Sequence, residues 1–373
     1  MVGQPGASGC LTAAYVLNTA FPEDGASGNA MEAPVYVIPQ GAEPRWIVIG
    51  DSRIAAPVFR SWRPFKVSTR LRWSAVVAAA SLGRLDRLPG VVTSRVGIDF
   101  SYWRRTLAGF EEEWVAVLYI GNPSHTRKVT VFFVGRDRRF KAVAKIPLLP
   151  DSAQAILNEA GVLDALRGAD YLPGFLFKDP ARGIAVQSWL EGEPVPRKLT
   201  SAHMDLLARF VTPGVTVRVC EQRAKIIRDL EQANLPFHRG VLARAQELLD
   251  YDQPLPACIE HRDFAPWNLK SLPGGGSGAI DWEWTVLRAL PCQDIFRYFY
   301  IQDALFDGPG HVWRVLNRHA LVLGYYRRFA IPAEALRPLA MHYQLRVLAV
   351  DWKSGNTRLA HYAFRQIETL LNS

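Results

Sequence analysis

Three β-rich runs, at residues 114–120, 129–134 and 141–146, are separated only by Gly121-Asn122-Pro123-Ser124 and by Gly135-Arg136-Asp137. Linkers this short cannot hold the crossover helix that parallel strands need, so the runs read as an antiparallel meander. Asp151-Ser152 then predicts a helix cap, and Ile156, Leu157, Ala160, Leu163 and Leu166 fall at the spacing of one buried helical stripe. A further strand pair follows at 175–177 and 184–190, split by Asp179-Pro180, and Glu191-Gly192-Glu193-Pro194 breaks regular structure. Beyond it helical periodicity dominates, interrupted only by residues 257–284. A β-meander followed by a mainly helical half is an α+β chain, and 373 residues suffice for two or three units with sizeable cores.

Ahead of the meander, residues 35–100 read as a small α/β module. It has short strands at 35–38 and 46–49 and a helix near 71–88 stopped by Pro89-Gly90. Residues 1–34 mix Gly, Ala, Ser and Pro around one short apolar stretch and read as a flexible tail, with Met31 as a second candidate start. No positive residue precedes that stretch, which argues against a secretory signal.

The composition, 49% hydrophobic and 21% charged, excludes a wholly disordered or fibrous chain, and no apolar run reaches the ~18 residues of a membrane span. Cys10, Cys220, Cys258 and Cys292 show neither a CxxC pair nor a histidine at ligand spacing, so reduced thiols in a cytoplasmic protein are expected. Forty-four Lys and Arg against 35 Asp and Glu leave a formal +9, which favours anionic company: phosphates, a polyanion or an acidic membrane surface. Part of this excess is local. Arg60, Arg63, Lys66, Arg70 and Arg72 occur without an acidic residue among Phe59, Trp62, Phe65 and Trp73. The pattern reads first as a solvated face over a core aromatic row, and second as contact with an anionic lipid surface or polyanion.

The segment from Ile259 to Lys270, Ile-Glu-His-Arg-Asp-Phe-Ala-Pro-Trp-Asn-Leu-Lys, carries the chemistry together with Ala279-Ile280-Asp281-Trp282-Glu283. Asp263 and Asn268 stand five apart where Pro266 forbids a regular helix, so one loop can aim both side chains into a cleft. Asp281 ends a short apolar strand thirteen residues later, within reach of a hairpin return. Two carboxylates and a carboxamide in oxygen-rich space suit Mg²⁺ shared with substrate phosphates, hence phosphoryl transfer.

H-x-D-x-x-x-x-N followed by I-D-W-E resembles the catalytic loop and metal strand of the aminoglycoside phosphotransferase and choline kinase group. These are small-molecule kinases with a two-lobed protein-kinase-like fold. The resemblance spans about residues 101–373 and implies an antiparallel amino-terminal lobe over 101–190 and a helical lobe over 191–373 that carries the catalytic loop and acceptor pocket. It implies that Asp263 orients the acceptor hydroxyl and takes its proton, while Asn268 and Asp281 hold Mg²⁺ against ATP phosphates. Lys145 falls where the fold keeps a phosphate-binding lysine, and Glu159 is its expected partner because no other glutamate lies between Lys145 and Glu191. Ser188, Trp189 and Leu190 look like the hinge whose backbone binds adenine, His261 a buttress of the loop, and Asp294 its brace.

The chain departs from the pattern at two places. Arg262 stands where the family usually has glycine, an added cation for the acceptor, the catalytic aspartate or a structural partner. The turn at 121–128 holds one glycine, leaving Asn122, Ser124 or His125 as donors for a phosphate-covering loop. Gly274 to Gly278 lacks the Lys-Ser/Thr ending of a P-loop and reads as a hairpin tip. The resulting expectation is an ATP- and Mg²⁺-dependent transfer to a hydroxyl of a small molecule of the sugar, glycan or amino-alcohol type. The net charge disfavours a polycationic acceptor, and nucleic acid is the weakest of the candidate partners. The alternative is a catalytically idle kinase-like scaffold, or a regulatory nucleotide binder with a basic membrane- or polyanion-binding amino-terminal module.

Overall fold

The computed structural model describes residues 11–22, 30–40, 42–62, 64, 67–111, 113–124, 126–306, 308 and 310–373. Cys10, Arg63, Phe65, Lys66 and His125 lie outside them. The chain divides into two units, Met1–Leu190 and Glu191–Ser373.

In chain order the first unit contains α1 (Ala13–Ala20), β1 (Ala30–Gln40), β2 (Glu43–Ile49), α2 (Ser52–Ser61), α3 (Val67–Ser81), β3 (Val92–Asp99) and α4 (Ser101–Thr106). Then come β4 (Val115–Ile120), β5 (Lys128–Val134), β6 (Phe140–Pro147), α5 (Pro150–Ala165), β7 (Phe175–Asp179) and β8 (Ile184–Gln187). All eight strands join one antiparallel sheet in the order β3-β1-β2-β4-β5-β6-β8-β7. The meander β4-β5-β6 is antiparallel as expected, with Thr130 opposite Lys145.

Residues 35–100 therefore do not form a sheet of their own. Strand β2 pairs with β4, Trp46 opposite Tyr119, and so satisfies backbone groups that a free β4 edge would leave open. The reason is legible in β4 itself: Val115-Ala-Val-Leu-Tyr-Ile is apolar at almost every position because the sheet is covered on both faces. Val115 and Val117 pack with Trp46, Val48, Val58, Phe59 and Ala80 of the α2 and α3 side. Ala116, Leu118 and Ile120 pack on the opposite side with Ile47, Ile49, Val16, Leu17 and Trp103.

Of the flexible tail expected over residues 1–34, residues 1–10 and 23–29 lie outside the described residues, and the described part is ordered. Residues 13–20 form a helix whose Val16, Leu17 and Ala20, with Phe21, are buried, and Trp103 donates its indole N–H to the Ala20 carbonyl at 2.9 Å. Met31 lies within β1. Helix α3 ends at Ser81 rather than near 88, because Gly83 turns the chain with φ 70°. The cap of α5 also differs: Pro150 opens the helix, and the Ser152 hydroxyl reaches back to accept the Leu149 N–H at 3.2 Å.

Of the aromatic row at 59–73, Phe59, Trp62 and Trp73 pack together around Trp46. Trp46 meets Phe59, Trp62, Trp73 and Tyr119 at centroid separations of 4.7–5.9 Å. Of the cations, Arg60 reaches the Ser81 hydroxyl and Arg70 the Pro64 carbonyl.

The second unit continues with β9 (Glu193–Pro194), α6 (Ser201–Arg209), β10 (Val211–Val217), α7 (Cys220–Ala233), α8 (Arg239–Glu247), β11 (Leu255–Glu260), β12 (Leu269–Ser271), β13 (Ser277–Ala279) and β14 (Val286–Ala289). It ends with α9 (Gln293–Leu305), α10 (Val312–Leu316), α11 (Ala320–Arg328), α12 (Ala333–Lys353) and α13 (Thr357–Leu371). Strand β10 interrupts the stretch expected to be helical; Thr-Pro-Gly within it suits a strand with a register break, and β11 accepts it as a neighbour. The two short sheets, β10-β11-β14 and β13-β12-β9, carry the interrupted segment 257–284, and helices make up most of the remainder.

Two histidines sit inside this unit with structural partners. His342 Nδ1 lies 3.0 Å from the Gln293 side-chain oxygen, and His203 Nδ1 accepts the Thr200 N–H at 3.1 Å, capping α6. Burial pushes His203 down to about 4. An imidazole with a depressed folded-state value adds stability above pH ~6.5 that is lost as the pH falls toward 4, because the unfolded chain then binds the extra proton. His203→Gln keeps an acceptor for Thr200 without a titrating ring. Its stability relative to the parent should therefore rise by up to about 3 kcal/mol between pH 7 and pH 4, read from urea melts at the two pH values.

Candidate active site

Strand β11 ends at Glu260 and feeds directly into His261-Arg262-Asp263. Pro266 opens a short 3-10 turn over Pro266–Asn268, and β12 leads into the β13 return. The ladder pairs Leu269 with Ala279, and the Ile280 N–H donates to the Asn268 carbonyl at 2.9 Å. Asp281 follows at once, so the hairpin brings the last of the three residues back to the loop. Its φ of 70° is left-handed, a region aspartate tolerates better than most residues.

Asp263 and Asn268 are joined directly. The Asn268 amide donates to the Asp263 carboxylate at 2.7 Å and to its carbonyl at 2.9 Å. That fixes the amide orientation and leaves the Asn268 Oδ1 as the group for other partners. His261 is fully buried and holds the loop from below: its Nδ1 accepts the Asp263 N–H at 3.3 Å, so Nε2 carries the proton and donates to the Ile280 carbonyl at 3.0 Å. Asp294, at the start of α9, accepts the N–H groups of His261 and Arg262 at 2.7 and 2.9 Å. Burial, and then the neighbouring Glu260, raise Asp294 to about 7.

Arg262 adopts φ 66°. A side chain there costs roughly 1–2 kcal/mol, which explains why glycine suits this position and why two N–H bonds to Asp294 are needed to hold it. Its guanidinium turns to Glu260, 3.4 Å away, so of the three partners open to it the structural one is occupied. Glu260, 3% exposed, also pairs with Arg346 of α12.

The second oxygen of Asp263 is held by Arg297 of α9, at 2.7 Å from Nη2 and 3.2 Å from Nε. Arg297 is buried, which lowers its value, but Asp263 and Tyr343 outweigh that and hold it firmly charged. Sequence reading missed it, although it lies three residues after Asp294 on one helix, the spacing that puts two side chains on one face. Lys270 was also missed. It is 4% exposed, two residues past Asn268, and burial pushes its ammonium down to about 7 although Glu191 and Glu193 pull the other way. A single strand lysine carries no sequence signal for burial.

In the first unit, Lys145 of β6 and Glu159 of α5 form a buried ion pair at 2.5 Å. Of the hinge residues, Ser188 already donates its N–H to the Gly174 carbonyl and accepts the Gly174 N–H on its hydroxyl, both at 2.8 Å. That backbone donor is therefore engaged within the first unit. Trp189 stacks on Phe140 at 3.9 Å and Leu190 is buried. The turn between β4 and β5 is pinned by Arg127, which donates to the Gly121 carbonyl at 3.0 Å and pairs with Glu43 of β2 at 2.6 Å.

A sequence profile described as the phosphotransferase enzyme family matches residues 123–310, about half of the chain. The chain belongs to this family. Its expected α+β, kinase-like architecture agrees with solved structures. A thermostable mutant of aminoglycoside phosphotransferase APH(4)-Ia, in ternary complex with AMP-PNP and hygromycin B, aligns with TM-score 0.50 and 11% identity over 68% of this chain and 93% of that one. Choline kinase LicA from Streptococcus pneumoniae gives 0.47 and 12% over 65% and 89%. Macrolide 2'-phosphotransferase MphH from Brachybacterium faecium gives 0.46 and 14% over 66% and 89%. Among curated proteins no sequence match is found. No helix among the described residues is long and apolar enough to cross a membrane.

For a phosphotransferase the donor set at the loop is informative. Among the described residues no three His, Cys, Asp or Glu side chains cluster as metal ligands. Asn268 and Asp281 are two hard oxygen donors, a number that fits Mg²⁺, which takes one or two protein ligands and completes its shell with phosphate and water.

Proposed function

We propose that this phosphotransferase moves the γ-phosphoryl group of ATP to a hydroxyl of a small molecule. The observation that carries this reading is the hydrogen-bonded pair Asp263–Asn268 with Asp281 returned beside it by the β12–β13 hairpin. Asp263 aligns the acceptor hydroxyl and accepts its proton. Asn268 and Asp281 hold Mg²⁺, which, when bound, neutralises charge on the transferring phosphate. Lys145, fixed by Glu159, offers its ammonium to phosphate oxygens, and the backbone at Trp189 and Leu190 remains the candidate for the base. Transfer is direct and in line, with catalysis from positioning and charge neutralisation rather than a covalent intermediate.

Arg297 bears on the acceptor class. A guanidinium fixed on the catalytic carboxylate places positive charge where a polycationic acceptor would have to bring its own. Together with the net +9 this favours a neutral or anionic hydroxyl compound, such as a sugar or glycan, over an aminoglycoside.

The test is a screen with labelled ATP against neutral, anionic and polycationic hydroxyl compounds, with Asp281→Ala as the blank. Label should enter neutral or anionic acceptors with the parent enzyme alone. Transfer to none of them would return the idle scaffold as the better reading. Lys145→Ala should weaken ATP binding roughly 10-fold or more in a nucleotide titration, since it removes a charge-assisted phosphate contact.

A further inference from the structure

Helix α3 has one face accounted for and one face that no described residue covers. Trp73, Val76, Val77 and Ala80 pack into the core beneath the sheet. At 100° per residue, Leu71, Ala75, Ala78 and Leu82 fall within a single narrow stripe on the other side, and all four are exposed, Leu71 at 72% and Leu82 at 65%. The turn that carries Leu82 continues the helix, its N–H donating to the Ala78 carbonyl at 3.0 Å. From Trp73 to Gly83 there is no charged residue. A helix apolar on its solvent side as well as its core side is one that expects a cover.

Charge indicates what that cover is. Between Asp51 and Asp86 the sequence holds seven Lys and Arg and no Asp or Glu. Arg70 and Arg72 stand either side of Leu71 on the helix, and Arg84 follows Leu82, with Arg72 and Arg84 exposed. Trp62, at the end of α2, is packed on Trp46 and Trp73 yet 37% exposed. A second copy of the same surface would bring like charges together around an apolar stripe, which costs more than the stripe returns. An anionic bilayer surface satisfies both features at once, with leucines entering the acyl boundary and arginines meeting headgroup phosphates.

We propose that the α2–α3 face is a reversible docking surface for an anionic lipid membrane. It is independent of the phosphotransfer reading, because none of its residues belongs to the loop or to the Lys145–Glu159 pair.

The experiment is co-sedimentation of the full chain with vesicles of phosphatidylcholine alone and with about one-third phosphatidylglycerol. The expected result is binding to the anionic vesicles only, falling as salt is raised. The double variant Leu71→Glu/Leu82→Glu should lose roughly 10-fold or more of that binding, and Arg72→Gln/Arg84→Gln roughly fivefold per cation. All four positions are exposed, so thermal melting and nucleotide titration should match the parent and show that each variant is folded. Equal binding to phosphatidylcholine, or unchanged binding by the leucine variant, overturns the proposal. So does a dimer in sedimentation velocity that the leucine variant breaks, or a preference for nucleic acid over vesicles at equal salt.

Discussion

Asp263→Asn should lower turnover by ~10²- to 10⁴-fold while leaving the dissociation constant for ATP within a factor of about three. The substitution preserves shape. An asparagine oxygen can still face Arg297, now at 2.7 Å from the carboxylate, and the backbone contacts of residue 263 with His261 and Asn268 do not depend on its side chain. What is lost is the negative charge that orients a hydroxyl and receives its proton. Single-turnover kinetics with saturating ATP read that loss, and a nucleotide titration reads what should not change. Full turnover in this variant would remove Asp263 from the role given to it. A parallel collapse of ATP affinity would mean that the loop, rather than the proton transfer, had been damaged.

The second large effect concerns stability. Glu260→Gln should destabilise the protein by about 3–5 kcal/mol, because it removes the carboxylate that pairs the Arg262 and Arg346 guanidinium groups in a setting where Glu260 itself is 3% exposed. For a unit of this size that corresponds to a fall in melting temperature of roughly 6–20 °C by calorimetry. Relief of Asp294, which Glu260 helps to push up to about 7, offsets part of the loss. Adding Arg346→Met to Glu260→Gln should recover part of the melting temperature, since one buried cation then disappears with its partner. A drop below about 1 kcal/mol would show that water reaches these charges and that the pair behaves as a surface ion pair.

Particular residues show where sequence reasoning reaches and where it stops. Asp263, Asn268 and Asp281 are separated by short stretches with a proline and a hairpin tip between them, so local geometry alone brings them together. The meander was legible because alternation and turn residues act over a few positions. Lys145 and Glu159 meet across 14 residues, strand to following helix. By contrast, Arg346 reaches Glu260 across 86 residues, and nothing short-range in either neighbourhood announces it. Arg297 is the intermediate case: it was missed, although its helical spacing from Asp294 was available as a signal. The amino-terminal part depends on similarly distant partners: the weakly patterned residues 13–20 cover one face of the sheet, and β2 finds its neighbour in β4, whose apolar run shows that it is covered but not by which strand.

The sequence by itself determined the class of chemistry and the strand–helix division, because both depend on residue types at fixed short spacings. Only the tertiary structure decided that the first three strands extend one sheet, that Arg262 turns to Glu260, that Arg297 holds the Asp263 carboxylate, and that α3 keeps an apolar stripe in solvent. Those outcomes depend on which distant surfaces must be desolvated against each other, and burial is a property of the folded chain rather than of any segment.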